Sequence, residues 1–256
     1  MRIIFIVLAF FNTLMLTAQT DFLPARVYNW DSLEPNKEDN RTVRQILEGS
    51  TTALSYFEVH ATTLEPDDAV HPPNVHADVE ELIIIKEGLL RVTINETTQM
   101  MGPGSIAFVM PGDEHEIENA GNTAAIYYAL NYKAKLPVNI EVSKQSGGSF
   151  MLNWNDLPMI KTEKGGRREF FNEPTSQLAK FEMHTTMLNA GQVSHDPHTH
   201  IEEEIVLIIR GNARMQIGEN FYEAAAGDLV FLASGVSHAL KNTGDGQCEY
   251  FAFQWR

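Results

Sequence analysis

The chain contains two copies of one segment, and this repeat limits its fold more than any other feature. Shifted by 124 residues, the sequence matches itself at Asn29-Trp30 with Asn153-Trp154, Phe57–His60 with Phe181–His184, and His76 with His200. The first copy then carries one extra residue, and the offset falls to 123. The later matches are Glu81 with Glu204, Gly88 with Gly211, Gly104 with Gly227, Gly112 with Gly235, His115 with His238 and Asn119 with Asn242. A register held over this span predicts two tandem copies of one domain.

Each copy has the pattern of β structure. Short apolar or alternating runs rich in β-branched residues are separated by turn-forming Gly, Pro, Asn and Asp. In the first copy the runs are Leu82–Ile85, Leu89–Ile94, Ile106–Met110 and Ala124–Leu130. The pattern predicts an all-β chain of two sandwiches or barrels, over residues 26–135 and 150–256. Residues 136–149 are polar, carry Gly147-Gly148, and are predicted to be a linker.

The amino terminus has the pattern of a secretory signal peptide. Arg2 is followed by an apolar run from Ile3 to about Leu16 and then by the small residue Ala18. The run is shorter than the roughly 20 apolar residues that span a bilayer, although a membrane anchor or a buried first strand is the alternative. We therefore expect residues 1–18 to be removed and the protein to be secreted or periplasmic. Cys248 is the single cysteine, so no disulfide can form within the chain.

The formal net charge of −15 restricts the partners of the protein. Nucleic acids and anionic membranes bind surfaces with an excess of Lys and Arg, which this chain lacks. We expect no nucleic-acid partner, no membrane partner after signal cleavage, and a small molecule as substrate.

Three histidines and a glutamate in the second copy have the spacing of a metal site. His198 and His200 are two residues apart, and Glu204 has the same parity, so an extended chain turns all three to one face. His238 lies further along the chain. Imidazole and carboxylate ligands suit Mn, Fe, Co, Ni, Cu or Zn, so these four residues predict one divalent transition metal whose identity stays open.

These motifs resemble those of the cupin superfamily, and the duplication resembles the bicupins. The second copy has the family's His-x-His, Glu and Gly in His198, His200, Glu204 and Gly211, followed by Gly227, Gly235, His238 and Asn242. The family's turn Pro is replaced by Ala233. The resemblance implies one jelly-roll barrel per copy with a metal inside, and a homodimer because cupin barrels often pair through their strands.

The first copy departs from the motif. Asn74 stands at the first ligand position, His76 and Glu81 are one residue further apart than their counterparts, and His115 stands at the last position. The copy therefore predicts either a second, weaker metal site or a barrel kept for its structure. Chemistry is expected in the second copy.

Other side chains recur near the site. His71 and His195 precede the first ligand position and are interpreted as solvated, with orientation of a ligand as the alternative. Glu202 and Glu203 are expected to form a solvated acidic edge, with Glu203 facing outward. A role for Glu202 as an acid or base is the alternative. Arg44 and Arg168 are either surface residues or carboxylate-binding groups. The last strand carries Tyr250, Gln254 and Trp255, which either line the barrel or pack in the core.

Three functions follow as hypotheses, because cupins host many activities. The first is a metal-dependent enzyme acting on a small polar substrate such as a carboxylic or sugar acid, by decarboxylase, lyase or isomerase chemistry. The second is a dioxygenase of the quercetinase type. The third is a non-catalytic small-molecule or sugar binder. The ureidoglycine aminohydrolases also resemble the second copy, but that resemblance implies Glu, Gln and Lys where this chain has His198, His238 and Gln254, which argues against that activity.

Overall fold

The computed structural model describes residues 22–38, 40–69 and 72–256. The signal peptide predicted for residues 1–18 lies outside the described residues, as does His71. Among the described residues, no helix is long and apolar enough to cross a bilayer.

The described residues are almost entirely β structure, which confirms the predicted all-β, two-barrel fold. The strands of the first half are β1 Arg26–Tyr28, β2 Asn36–Lys37, β3 Arg41–Gly49, β4 Leu54–Leu64, β5 Asn74–Val75, β6 Glu80–Glu87, β7 Leu90–Ile94, β8 Thr97–Met101, β9 Ile106–Val109, β10 Glu114–Asn119 and β11 Ala125–Ala134. The strands of the second half are β12 Phe150–Leu152, β13 Ile160–Thr162, β14 Gly165–Glu173, β15 Phe181–Leu188, β16 Glu203–Arg210, β17 Asn212–Ile217, β18 Asn220–Ala225, β19 Leu229–Leu232, β20 His238–Asn242 and β21 Cys248–Trp255. Short 3₁₀ helices at Trp30–Ser32 and Trp154–Asp156 repeat the duplication.

Each barrel is built from a large and a small antiparallel sheet. The first barrel has the strand orders β12-β9-β6-β11-β4-β3-β2 and β5-β10-β7-β8, and the second has β1-β19-β16-β21-β15-β14-β13 and β18-β17-β20. The predicted linker holds a short helix, α1, at Ile140–Gln145. The domain boundaries stay a prediction. The structure shows in addition that the two barrels exchange one short strand each. Strand β1 pairs with β19 of the second barrel, and β12 pairs with β9 of the first.

The two barrels share an apolar core. Leu82 and Ile84 of β6 pack into a cluster with residues of both halves, whereas Ile83 and Ile85 of the same strand pack inside the first barrel. Strand β16 repeats this division. The sequences of β6 and β16 are continuous apolar runs because both faces of each strand are buried, one inside its barrel and one between the barrels.

Paired carboxylates reinforce the contact between the barrels. Glu80 accepts hydrogen bonds from Thr175 Oγ1 at 2.7 Å and from the backbone N–H of Ser176 at 2.8 Å. Its counterpart Glu203 accepts hydrogen bonds from Thr51 Oγ1 at 2.5 Å and from Trp255 Nε1 at 3.0 Å. The prediction that Glu203 points away from its own barrel interior is consistent with these contacts, but the expectation of a solvated acidic edge was wrong for this residue. Glu203 is 2% exposed because the other barrel covers it.

Candidate metal centre

Strand pairing brings the predicted ligands of the second copy together. His198 and His238 form an antiparallel bridge, with His198 N–H donating to the His238 carbonyl at 3.2 Å and the reverse bond at 3.0 Å. Glu204 is the second residue of β16, and His200 lies in the loop before it. Facing residues of an antiparallel pair have neighbouring side chains, so residues far apart in sequence meet at one end of the barrel.

The ligand atoms converge on the Glu204 carboxylate. Its Oε2 lies 3.0 Å from His200 Nε2 and 3.2 Å from His238 Nε2, and it accepts a hydrogen bond from Gln254 Nε2 at 3.2 Å. His200, Glu204 and His238 form one group whose ligand atoms all lie within 4.8 Å of one another. His198 adjoins this group, with its ring centroid 4.7 Å from that of His238 and 5.3 Å from that of His200.

Backbone carbonyls orient two of these imidazoles for metal binding. His200 Nδ1 donates to the Glu202 carbonyl at 2.9 Å, and His238 Nδ1 donates to the Val236 carbonyl at 2.9 Å. A neutral imidazole with a proton on Nδ1 has its lone pair on Nε2, which is the arrangement found in metal sites. His238 Nε2 is buried and has no hydrogen-bond partner among the described residues, despite its nearness to Glu204. A divalent ion would satisfy this nitrogen, so the residues fit a metal.

The charges of the group also favour a cation. Burial raises the pKa of Glu204, but the hydrogen bond from His200 and the close approach of His238 outweigh it and bring the pKa down to about 2. The hydrogen bond to Glu204 raises the pKa of His200. Burial, together with the neighbouring imidazoles, lowers the pKa of His198. The buried carboxylate is therefore an anion that attracts a positive partner, whether a proton on the imidazoles or a metal ion.

The first copy brings together three of its four predicted residues. His76, Glu81 and His115 form a group within 4.8 Å, with Glu81 Oε2 lying 2.9 Å from His115 Nε2 and 3.6 Å from His76 Nε2. The side-chain amide nitrogen of Asn74 lies 3.4 Å from His76 Nε2. Burial raises the pKa of Glu81, and the two imidazoles outweigh it and lower the value to about 2. Asn74 supplies an amide where the second copy has an imidazole.

A cavity of about 290 Å³ opens onto the metal group of the second copy. Its polar lining includes Arg167, Glu182, His184 and Gln254, and Tyr250 also faces it. His184 Nδ1 lies 3.6 Å from Glu182 Oε1 and has no hydrogen-bond partner among the described residues. Burial, followed by the Arg167 charge, lowers the pKa of His184, so its imidazole is neutral.

The corresponding polar groups of the first copy bind one another. Glu58 accepts hydrogen bonds from Asn131 Nδ2 at 2.9 Å and Gln45 Nε2 at 3.2 Å, and its Oε1 lies 2.5 Å from His60 Nδ1. These residues stand where the second copy has Glu182, Gln254, Glu169 and His184. Groups already paired with one another are less available to a ligand.

The structure also locates the remaining candidates. Arg44 lies over the Trp30 ring and Arg168 over the Trp154 ring, so both pack on aromatic residues. Glu202 Oε1 lies 3.6 Å from Lys180 Nζ and 3.7 Å from Arg256 Nε.

His195, which was interpreted as solvated, lies against the metal group. Its ring centroid is 4.1 Å from that of His198, although the side chain is exposed. Two signals in the sequence mark this residue: its spacing of three residues from His198 and its recurrence as His71 in the first copy. Arg167 had no such signal, because it has no arginine counterpart in the first copy.

Two β-barrels, with His and Glu side chains converging in each, define a two-domain protein with a candidate metal centre. A model of the cupin domain matches residues 60–131 and again 184–253, more than half of the chain. The chain therefore belongs to the cupin family and contains two cupin domains, as its motifs predicted.

The similar proteins support the fold of the whole chain. (S)-ureidoglycine aminohydrolase of Arabidopsis thaliana is 19% identical over 180 residues, which cover 69% of this chain and 57% of that protein. A putative glyoxylate-induced protein of Pseudomonas aeruginosa superposes with a TM-score of 0.72 at 18% identity, covering 94% of this chain and 92% of the other. Lactobacillus farciminis oxalate decarboxylase, in a formate complex, superposes with a TM-score of 0.69 at 13% identity, covering 91% and 87%.

Proposed function

We propose that this bicupin is a metal-dependent enzyme whose centre in the second barrel acts on a small carboxylate compound. The observation that carries the proposal is the convergence of His200 and His238 on the buried Glu204 carboxylate, at the mouth of a polar cavity. His198 completes the ligand set. A divalent ion held there would act as a Lewis acid that polarises a substrate oxygen.

The cavity supports a small polar substrate. About 290 Å³ is near the lower end of the volumes of ligand pockets, which run from ~300 to ~1,000 Å³. The Arg167 guanidinium lies at its wall, where Nε and Nη2 donate to Glu169 and Nη2 lies 3.4 Å from Glu182 Oε1. Its Nη1 can bind a carboxylate on the substrate. The His184 imidazole is neutral, and its Nδ1 has no hydrogen-bond partner among the described residues, so it can accept a proton from the substrate or return one. The second barrel therefore holds groups for binding and for proton transfer.

The names of similar proteins point to the same substrate class. Oxalate and ureidoglycine are both small carboxylates, and they belong to the activities of two proteins similar to this chain. We propose a substrate of this class for the present protein and export through residues 1–18. Since these proteins are less than 20% identical to the chain, the particular reaction has to be found by assay.

A matched pair of substitutions tests the proposal. Glu204→Gln and Glu81→Gln make the same change in the two copies. The purified variants and the wild type are analysed for metal per chain and assayed with oxalate, ureidoglycine and sugar acids, with and without dioxygen. We expect Glu204→Gln to lose metal and turnover while Glu81→Gln keeps turnover.

Wild-type protein that binds no divalent metal would overturn the proposal. Metal binding and ligand binding without turnover would make the protein a binder, and turnover only with dioxygen would make it a dioxygenase.

A further inference from the structure

The imidazoles of the second copy form two overlapping groups that share one residue. The buried group consists of His200, Glu204 and His238, and the surface group consists of His195, His198 and His238. In each group the three ligand atoms lie within 4.8 Å of one another. His198, a predicted ligand of the buried centre, is thus grouped with His195 in the structure.

The two groups differ in their access to solvent. His195 and His198 are exposed, whereas Glu204 and His238 are buried and His200 is half-buried. His195 Nδ1 lies 3.0 Å from the Asp196 carbonyl, the same kind of contact that orients His200 and His238. With Nδ1 donating to this carbonyl, His195 has its lone pair on Nε2 and is prepared to bind a cation.

The shared residue prevents both groups from holding an ion together. His238 Nδ1 is occupied by the Val236 carbonyl, so only Nε2 can bind metal, and a nitrogen lone pair binds one ion. The buried group contains the carboxylate and is therefore the stronger of the two for a divalent cation. An ion arriving from solvent reaches the exposed imidazoles first.

We propose that His195, His198 and His238 form a loading position through which a divalent metal ion enters and leaves the buried centre. The ion binds at the surface group and moves inward while it stays bound to His238. His198 remains a ligand in the buried centre, whereas His195 releases the ion. This inference rests on the proposed function, because it requires a metal at the buried centre.

Stopped-flow binding of Co²⁺ tests the role of His195. Metal-free wild type, His195→Ala and His195→Gln are mixed with Co²⁺, and uptake is followed by the visible absorption of the bound ion. Release into excess chelator is measured in the same way. Gln192→Ala, an exposed change in the same loop, is the control, and circular dichroism confirms that each variant is folded.

We expect both His195 variants to slow uptake and release by the same factor, because they lose the loading position but keep the buried centre. Their Kd for Co²⁺ and their final absorption spectrum should equal those of the wild type, because the ligands of the buried centre are unchanged. Gln192→Ala should match the wild type in every measurement.

Two results would overturn this inference while leaving the proposed function intact. One is unchanged rates in both His195 variants, and the other is a weaker Kd with an altered spectrum, which would make His195 a permanent ligand. Wild-type protein that binds no Co²⁺ and no other divalent ion would instead overturn the proposed function itself.

Discussion

The two barrels share one plan, yet they use the same positions in different ways. In the first barrel Glu58 accepts hydrogen bonds from Asn131 and Gln45 and lies against His60, so its carboxylate is surrounded by side chains of its own barrel. In the second barrel Glu182 turns toward Arg167 and Lys180, and Gln254 turns toward Glu204. His184 Nδ1 lies beside a cavity and accepts or donates no hydrogen bond within the part of the chain that the structure describes.

The difference shows how a duplicated domain can divide its duties. Both copies contribute apolar residues to the shared core. In the first copy Asn74 replaces an imidazole, and Glu58 is held by side chains of its own barrel, while the strands are kept. Under the proposed function, this copy therefore lacks groups that the second copy uses. Substitutions at matched positions of the two barrels test this division.

The shared ligand of the second copy should have the largest effect. His238→Ala removes a buried imidazole that belongs to both metal groups, and we expect metal affinity to fall by more than about 100-fold, beyond the ~10–100-fold typical of supporting residues. The matched variant His115→Ala should leave the tightest metal equivalent unchanged. Titration with Zn²⁺ against a chelator dye measures both. Equal losses in the two variants would show that the barrels are not divided in function.

Restoring the missing ligand should convert the first barrel into a second metal site. Asn74 pairs with His115 as His198 pairs with His238, so Asn74→His places an imidazole at the equivalent position. We expect metal binding in the first barrel to tighten by about tenfold or more. The measurement uses a His238→Ala background, in which the second centre is disabled. Unchanged affinity would indicate that the extra residue before Glu81, and not Asn74, weakens this site.

The hydrogen bond from the Gln254 amide to Glu204 should support metal binding in the second barrel only. Gln254 donates to Glu204, whereas its counterpart Asn131 donates to Glu58. We expect Gln254→Ala to weaken metal binding at the second centre by roughly tenfold, since it orients a ligand oxygen. Isothermal titration with Mn²⁺ or Co²⁺ provides the test. Asn131→Ala serves as the control, and an equal loss there would contradict the contrast.

The contact between the barrels should be symmetric, unlike the metal sites. Thr51→Val and Thr175→Val each remove a hydroxyl that donates to a buried carboxylate of the other barrel. Each should lower the free energy of unfolding by about 1–3 kcal/mol. Urea denaturation of the metal-free protein measures this effect, with the exposed Thr98→Val expected within about 0.5 kcal/mol of wild type. A cost at one threonine only would show an asymmetric interface.

The closed network of the first barrel should make stability sensitive to acid. Burial raises the pKa of Glu58, but the hydrogen bonds from His60, Asn131 and Gln45 outweigh it, and the net pKa is lowered. A lowered folded pKa stabilises the protein above the unfolded value of about 4.3, and this contribution is lost as the pH falls through the folded pKa. Glu58→Gln should therefore be less stable than wild type at pH 7, by ~1 kcal/mol. A gap in urea midpoint that stays constant down to acidic pH would contradict this.

The amino-acid sequence was sufficient to predict the duplication and the β architecture, which the structure confirms, and it proposed the residues of the candidate metal centre. These features are local or repeated: strand alternation and turn residues act over a few positions, and the His and Glu pattern appears twice in one register. Parity in an extended chain predicted one face for His198, His200 and Glu204, but residues 199–202 form a loop before β16. The family resemblance was confirmed by the two matched cupin domains.

Long-range packing decides what lies against each face of a strand. Parity turned Glu203 outward, but the packing of the other barrel made that outside a buried interface. The exchange of β1 and β12 and the approach of His195 to His198 likewise depend on residues distant in sequence or on loop conformation. Periodicity tells which side of a strand a residue occupies, while long-range pairing decides whether that side meets water, metal or another barrel.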